Sequence, residues 1–220
     1  MRIKIKLIEI RAVAIFASRD DSRYVLNGVQ VQTGKQTTLT ATDGRCLGSL
    51  QIESSTESDK SEFIIPHAAV AEIVSVCKQK KADGFEIQNR GNRLLVRISG
   101  HEVFAEKIHG KIQKTTRPNN TRAVLIFKAI SGNYPNWRQV VALKLGSVKH
   151  LCLSAFVAQK VIAASRIISP KEPGMNFFFV DELSAVVVKF AAVKNFIVVA
   201  MPMRLGDIQS AEIIPSFAKL

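Results

Sequence analysis

The sequence predicts an α+β fold in which one β-α-β-β-β unit recurs. Three observations predict it. Residues 2–10, 62–65 and 148–153 each read as a strand that runs into an apolar stripe at helical spacing. Each stripe is followed by β-rich runs. Turn residues separate many of those runs, as at Asp43-Gly44, Asp83-Gly84 and Arg90-Gly91-Asn92, where glycine supplies φ > 0 without steric cost.

The first unit opens with Arg2, Lys4 and Lys6 alternating with Ile3, Ile5 and Leu7, a strand pattern over residues 2–10. Residues 11–19 place Ala12, Ile15 and Phe16 on one helical face. Tyr24–Gln32, Thr37–Thr42 and Cys46–Ile52 read as three strands, the last two joined at Asp43-Gly44. The polar run 53–61 is expected to be a mobile loop.

The second unit starts with a short strand, Glu62–Ile65. Pro66 suits the first turn of a helix, where its missing N–H is not needed. Val70, Ile73, Val74 and Cys77 keep helical spacing. Phe85–Gln88, Arg93–Ser99 and Glu102–Lys107 are expected strands. Residues 108–122 carry His109, Lys111, Lys114, Arg117 and Arg122 and read as an exposed basic loop. Ala123–Ile130 is a further strand, so either this run or Val103–Ile108 closes the second unit.

In the third unit Val148–Leu153 reads as a strand and Ser154 as an N-cap. Val157, Val161, Ala164 and Ile168 form the apolar stripe of a helix, opposite Gln159, Ala163 and Arg166. Met175–Val180, Ser184–Phe190 and Asn195–Met201 complete the unit as strands. The expected organisation is a complete two-unit domain over residues 1–140, a half-domain over 141–205 and a C-terminal tail over 206–220.

Composition narrows the functional classes. The 220 residues are 47% hydrophobic and carry 31 Lys and Arg against 18 Asp and Glu, a net charge of +13. That balance favours a polyanionic partner. Three cysteines, Cys46, Cys77 and Cys152, form no Cys-x-x-Cys pair, so neither a disulfide framework nor a zinc site is expected, and a reducing cytoplasm fits. The histidines His67, His101, His109 and His150 lack metal spacing, and no Gly-rich phosphate loop or HExxH motif occurs. No apolar run reaches the roughly 18–20 residues that cross a bilayer. No cofactor, metal, catalytic residue or membrane partner is therefore expected.

Four motifs occur in one order: Arg23-Tyr24-Val25-Leu26-Asn27-Gly28-Val29, Ala41-Thr42-Asp43-Gly44-Arg45-Cys46-Leu47, Gly132-Asn133-Tyr134-Pro135-Asn136-Trp137-Arg138-Gln139-Val140, and Ala200-Met201-Pro202-Met203-Arg204-Leu205. Together they resemble the bacterial sliding clamp, the beta subunit of DNA polymerase III. The resemblance implies a DNA-clamp fold with sheets outside and helices lining one face. Family chains carry three whole domains and close a ring in pairs. This chain holds three half-domain units, so four copies match that ring arithmetically.

The resemblance implies a non-catalytic processivity factor that encircles or tracks duplex DNA, with basic residues on the helices facing phosphates. The candidates are Arg11 and Arg19 on the first helix, Lys78, Lys80 and Lys81 at the end of the second, and Lys160 and Arg166 on the third. His67 and Ala68 stand where the family often has basic residues. The resemblance also implies a pocket for linear peptides of DNA polymerase and clamp-loader proteins. Its wall would be Leu26, Thr42, Gly44, Arg45, Leu47, Pro135 and Val140, with Leu183, Ala185, Val199, Met201, Pro202, Met203 and Arg204 from the half-domain. Cys46 and Gln139 stand where the family has rim arginines. The alternative readings are a basic DNA-binding module, or a clamp regulator, that keeps the fold without the ring.

Overall fold

The computed structural model describes residues 2–53, 60–98, 104–108, 111–115, 123–141, 145–146, 148 and 151–203, with backbone alone for 104–108 and 111–115. The expected loop at 54–59, most of the stretch 142–150, Arg204 and the 206–220 tail lie outside the described residues.

The order is β1 (Ile3–Lys6), α1 (Leu7–Ala14), β2 (Gly28–Gln32), β3 (Thr37–Thr42), β4 (Cys46–Ile52), β5 (Glu62–Pro66), α2 (His67–Gln79), β6 (Gly84–Arg90), β7 (Arg93–Ile98), β8 (Phe104–Ile108), β9 (Lys111–Thr115), β10 (Ala123–Lys128), α3 (Ala155–Ile168), β11 (Met175–Phe178), β12 (Val186–Phe190) and β13 (Val193–Ala200). The β-α-β-β-β repeat is present in the first two units. In the third, the described residues of the expected initial strand, 148 and 151–153, are not in a strand.

Several boundaries differ from the sequence expectation for local reasons. The first helix starts at Leu7 rather than after residue 10. Glu9 Oε2 accepts the Lys6 N–H at 2.8 Å, and the Leu7 N–H reaches Asp83 O at 2.6 Å, which fixes the start. Tyr24–Leu26 belongs to a 3₁₀ segment, Asp21–Leu26, rather than to a strand. Asp20 Oδ1 accepts from Ser22 N at 2.9 Å and from Ser22 Oγ at 2.6 Å, so the aspartate opens a turn where a strand was expected. Lys111–Thr115 is a strand paired with Phe104–Ile108, so the expected basic loop is in part a hairpin. Ala123–Lys128, not Phe104–Ile108, pairs with β7 and closes the second unit; the hairpin is the insertion.

The strands form a four-stranded sheet, β1-β6-β7-β10, and a seven-stranded sheet, β11-β12-β13-β4-β3-β2-β5. The two sheets show that the first two units are interlocked. Each donates its first strand to the other: β1 pairs with β6, and β5 pairs with β2, both antiparallel. The third unit joins through β13, which pairs with β4, Phe196 opposite Leu50 and Ala200 opposite Cys46. Leu151–Leu153, within the expected third initial strand, forms no ladder. In both complete units the first strand pairs with the other unit; Leu151–Leu153 meets no such partner among the described residues.

One apolar core joins all three units. Phe16, fully buried, meets Phe196 edge-on with ring centroids 6.4 Å apart, and Phe196 lies 5.0 Å from Phe190. Gly48 makes room for this contact, because a Cβ there would strike the Phe16 ring. The expected stripe of α3 is buried at Val157, Val161 and Ala164. Ser154 occupies the N-cap, but its side chain makes no cap hydrogen bond. α1 packs against both α2 and α3, and touches strands of both sheets.

Candidate functional site

The Thr42–Cys46 turn sits where the first and third units meet. Gly44 takes φ +87°, as the Asp-Gly signal requires. Asp43 Oδ1 accepts the N–H groups of Arg45 and Cys46 at 2.8 and 2.9 Å. Thr42 Oγ1 donates to Cys46 O at 2.9 Å and accepts Gly44 N–H at 3.0 Å. Four hydrogen bonds within the turn thus hold its shape.

Across the junction, Lys160 Nζ of α3 lies 2.7 Å from Asp43 Oδ2. Burial alone pushes the Asp43 carboxyl up. The hydrogen bonds from Lys160 and from the Arg45 and Cys46 amides outweigh it, and the net position is below the ordinary carboxylate value. Lys160, expected on the DNA-facing surface, is therefore committed to an ion pair. Neither the pair nor its role was legible in the sequence, because the two residues lie in different units.

Beside the turn is a small apolar cluster separate from the main core. Leu47, Ala185 and Val199 are buried, with Trp137 and Val141 packed on them. Val199 pairs with Leu47 across β13 and β4, and Met201 N–H donates to Arg45 O at 2.9 Å. Val140, Leu183, Met201 and Met203 stay exposed. Sequence reasoning named eight of these positions and missed Trp137 and Val141. Trp137 lies inside the motif that carried the resemblance, so the signal was there. Arg138 stacks over the Trp137 ring at 4.6 Å, and its Nη1 donates to Gln32 Oε1 at 3.2 Å.

The other expected pocket residues lie around this cluster in different ways. Gly44, Arg45 and Pro135 are exposed; Leu26 and Pro202 are half-buried. Leu26 ends the 3₁₀ segment, and its carbonyl accepts Ser18 N–H at 3.0 Å. Arg204 lies outside the described residues. Cys46 is buried, and desolvation pushes its thiol up to about 12, so it offers the pocket neither charge nor a reactive sulfur.

A second cleft, of about 660 Å³, is lined by Arg19, Arg23, Arg45 and Lys160, with Asp20, Asp43 and the exposed Phe156 of α3. Its charge is predominantly positive.

The helices present outer faces exposed at Ile8 on α1, where Arg11 is half-buried, at Ala68, Ala71, Ser75 and Lys78 on α2, and at Gln159, Ile162 and Arg166 on α3. Arg19 is exposed but lies beyond the end of α1 rather than on it. Lys80 is the C-cap of α2, and Lys81 follows with φ 53°. His67, at the start of α2, is held below its usual value by burial and then by the Arg19 charge, so it is neutral near pH 7. Among the described residues no group of His, Cys, Asp or Glu could hold a metal ion, and no helix is long and apolar enough to cross a membrane.

Comparison with known proteins agrees with this geometry. No curated protein sequence matches the chain. Among solved structures, the DNA polymerase sliding clamp of Bacillus subtilis is similar with a TM-score of 0.67 at 11% identity, covering 94% of this chain and 65% of that one. The beta chain of DNA polymerase III from Streptococcus pneumoniae gives 0.64 at 14%, covering 93% and 65%. A sliding clamp from Pseudomonas aeruginosa bound to griselimycin gives 0.62 at 17%, covering 93% and 66%. The chain thus spans just under two thirds of the length of these clamps. Residues 4–114, just over half of the 220, match the family model described as the DNA polymerase III beta subunit, central domain. The chain belongs to the DNA polymerase III beta subunit family, the bacterial sliding clamps.

Proposed function

We propose that the protein is a non-catalytic processivity factor of DNA replication that works in the cytoplasm, holding duplex DNA without reading its sequence. The supporting observation is the uncovered helix layer. Arg11, Lys78 and Arg166 project from it, with Arg19, Lys80 and Lys81 at helix ends. Contacts of this kind to phosphates carry affinity but no base information, so the protein can move along the duplex. Lys160 is left out of this set because it is paired with Asp43.

On this reading residues 1–140 are a complete clamp-type domain and 141–205 a half-domain. The exposed Val140, Leu183, Met201 and Met203 over the Leu47–Ala185–Val199 cluster form the docking site for linear peptides of a polymerase or clamp loader. A mostly apolar hollow with a few fixed polar groups suits that ligand, and methionines adapt to more than one sequence.

The test is binding to two duplexes of unrelated sequence over a salt series. Equal affinity for both, falling steeply with salt, is expected. A marked sequence preference, or affinity insensitive to salt, contradicts the proposal.

A second reading is a DNA-binding or clamp-regulating protein that never closes a ring. The unpaired Leu151–Leu153 segment favours it, since it leaves the third unit incomplete in one chain. A monomer in solution, measured by light scattering, selects this reading; a tetramer selects the ring.

A further inference from the structure

The exchange of first strands follows one rule in both complete units. β1 lies against β6 with Ile5 opposite Phe85 and Lys6 opposite Gly84. β5 lies against β2 with Ile65 opposite Val29 and Pro66 opposite Gly28. The two glycines have the same purpose. A Cβ at Gly84 would strike the Ile5 carbonyl, and one at Gly28 the Ile65 carbonyl. The first residue of the following helix then ties the strand down: Leu7 N–H donates to Asp83 O at 2.6 Å and His67 N–H to Asn27 O at 3.0 Å.

The third unit has the receiving half of this arrangement and lacks its occupant. Pro173-Gly174-Met175 stands where the others have Asp83-Gly84-Phe85 and Asn27-Gly28-Val29. Gly174 retains the glycine, yet among the described residues the only atom near a Cβ there is Ala191 Cβ at 3.2 Å. Phe177 occupies the position of Ile87 and Val31; those are 0% exposed, and Phe177 is 38% exposed. β11 is the edge of its sheet, and no described strand pairs with its outer side; just past its end Gly146 N–H donates to Phe179 O at 2.9 Å.

The donating half is also present. Leu151 and Leu153 are half-buried, where the matching Ile3, Ile5, Phe63 and Ile65 are buried. The segment is held on its own side as β5 is: Met203 N–H donates to Cys152 O at 2.8 Å, as Ile130 N–H donates to Ile64 O at 3.2 Å. Its other edge has no ladder partner among the described residues.

We propose that two copies of this chain complete one clamp-type domain between them by exchanging these segments. Leu151–Leu153 of each copy lies antiparallel against β11 of the other, with Leu153 opposite Met175 of the partner subunit and Cys152 opposite Asn176 of the partner subunit. One chain carries both a donor and a receiver, so a twofold axis satisfies both at once. The exposed Ile162 of α3 lies on the flank opposite the Phe156–Lys160–Ala163 row that faces the second cleft, and the dyad brings it against the same flank of the other α3. The inference deepens the oligomeric reading above but does not depend on DNA binding.

The register supplies the test. By analogy with Lys4 opposite Glu86, Cys152 and Asn176 form a non-hydrogen-bonded pair, the kind in which side chains come closest. Asn176→Cys in the full chain is treated with glutathione disulfide, which takes up two electrons as the thiols join and leaves as two reduced glutathiones. A band of twice the chain mass on a non-reducing gel is expected, lost when Cys152→Ser is added and absent for Phe177→Cys, whose side chain faces the other way. A disulfide within one chain, or equal cross-linking from Phe177→Cys, overturns the proposal. Gly174→Val gives a second readout. It is expected to keep the circular dichroism of the fold while light scattering reports a single chain, and a variant that remains dimeric overturns the exchange. Because neither readout involves DNA, failure here is separable from failure of the DNA-binding proposal.

Discussion

Lys160 Nζ and Asp43 Oδ2 are 2.7 Å apart and join the third helix to the turn of the first unit. Both side chains are about three quarters buried, at 26% and 22% exposure, so the pair is shielded from solvent more than a surface ion pair. Asp43 also organises the turn beside the small apolar cluster of Leu47, Ala185 and Val199, so one carboxylate fixes two parts of the junction.

Asp43→Asn keeps the amide oxygen that caps the turn and removes the charge facing Lys160. The expected cost is roughly 1–3 kcal/mol at pH 7. Because the folded carboxyl is held below its ordinary value, its stabilisation is complete above the unfolded value, about pH 4, and is lost as pH falls through the folded one. Denaturant titrations from pH 2 to 7 check this: the wild type loses stability toward acid more steeply than Asp43→Asn. Identical pH profiles would show that the pair contributes nothing.

Gly48→Ala places a methyl against the Phe16 ring, at the point where the cores of the first and third units merge. Overpacking of this kind costs roughly 1–3 kcal/mol. A chain of this size then melts lower by about 2–4 °C per kcal/mol, read by calorimetry. Gly91→Ala is a useful contrast: no atom lies near its Cβ, and any loss there comes from its φ of +66° alone.

The three cysteines are free, and they should differ in reactivity. Cys46 and Cys77 are buried, with thiols pushed by desolvation to about 12 and about 11. Cys152 is partly exposed. A disulfide reagent at pH 8 is expected to label one thiol rapidly in the native protein and all three in denaturant. Rapid labelling of Cys46 would contradict the packed junction.

Arg11→Ala, Lys78→Ala and Arg166→Ala each remove one proposed phosphate contact. Each is expected to reduce the slope of log affinity against log salt by about one, equally for any duplex sequence. Lys160→Ala is expected to leave that slope unchanged, because its ammonium is held by Asp43. Salt titrations by fluorescence anisotropy separate the two groups.

The β3–β4 hairpin and the third helix were legible because each rests on local chemistry: an Asp-Gly turn and an apolar stripe. The start of α1 was not, since Glu9 and the distant Asp83 carbonyl set it together. Lys111–Thr115 was read from its charges as a loop, although its Lys-Ile-Gln-Lys alternation also fits a strand. The exchange of β1 and β5 lay beyond local reading because strand partners separated by dozens of residues leave no mark in either strand. Only the repeated glycines, Gly28, Gly84 and Gly174, record it, and their meaning emerged once the carbonyls opposite the first two were seen.

The most direct measurement of the proposed function, in the form in which a ring of this protein holds the duplex by surrounding it, is retention on circular DNA. The protein is mixed with nicked circular duplex at low salt, shifted to high salt and passed over a sizing column. It is expected to remain with the circle and to be lost when the same DNA is linearised. Equal loss from circular and linear DNA would contradict encirclement.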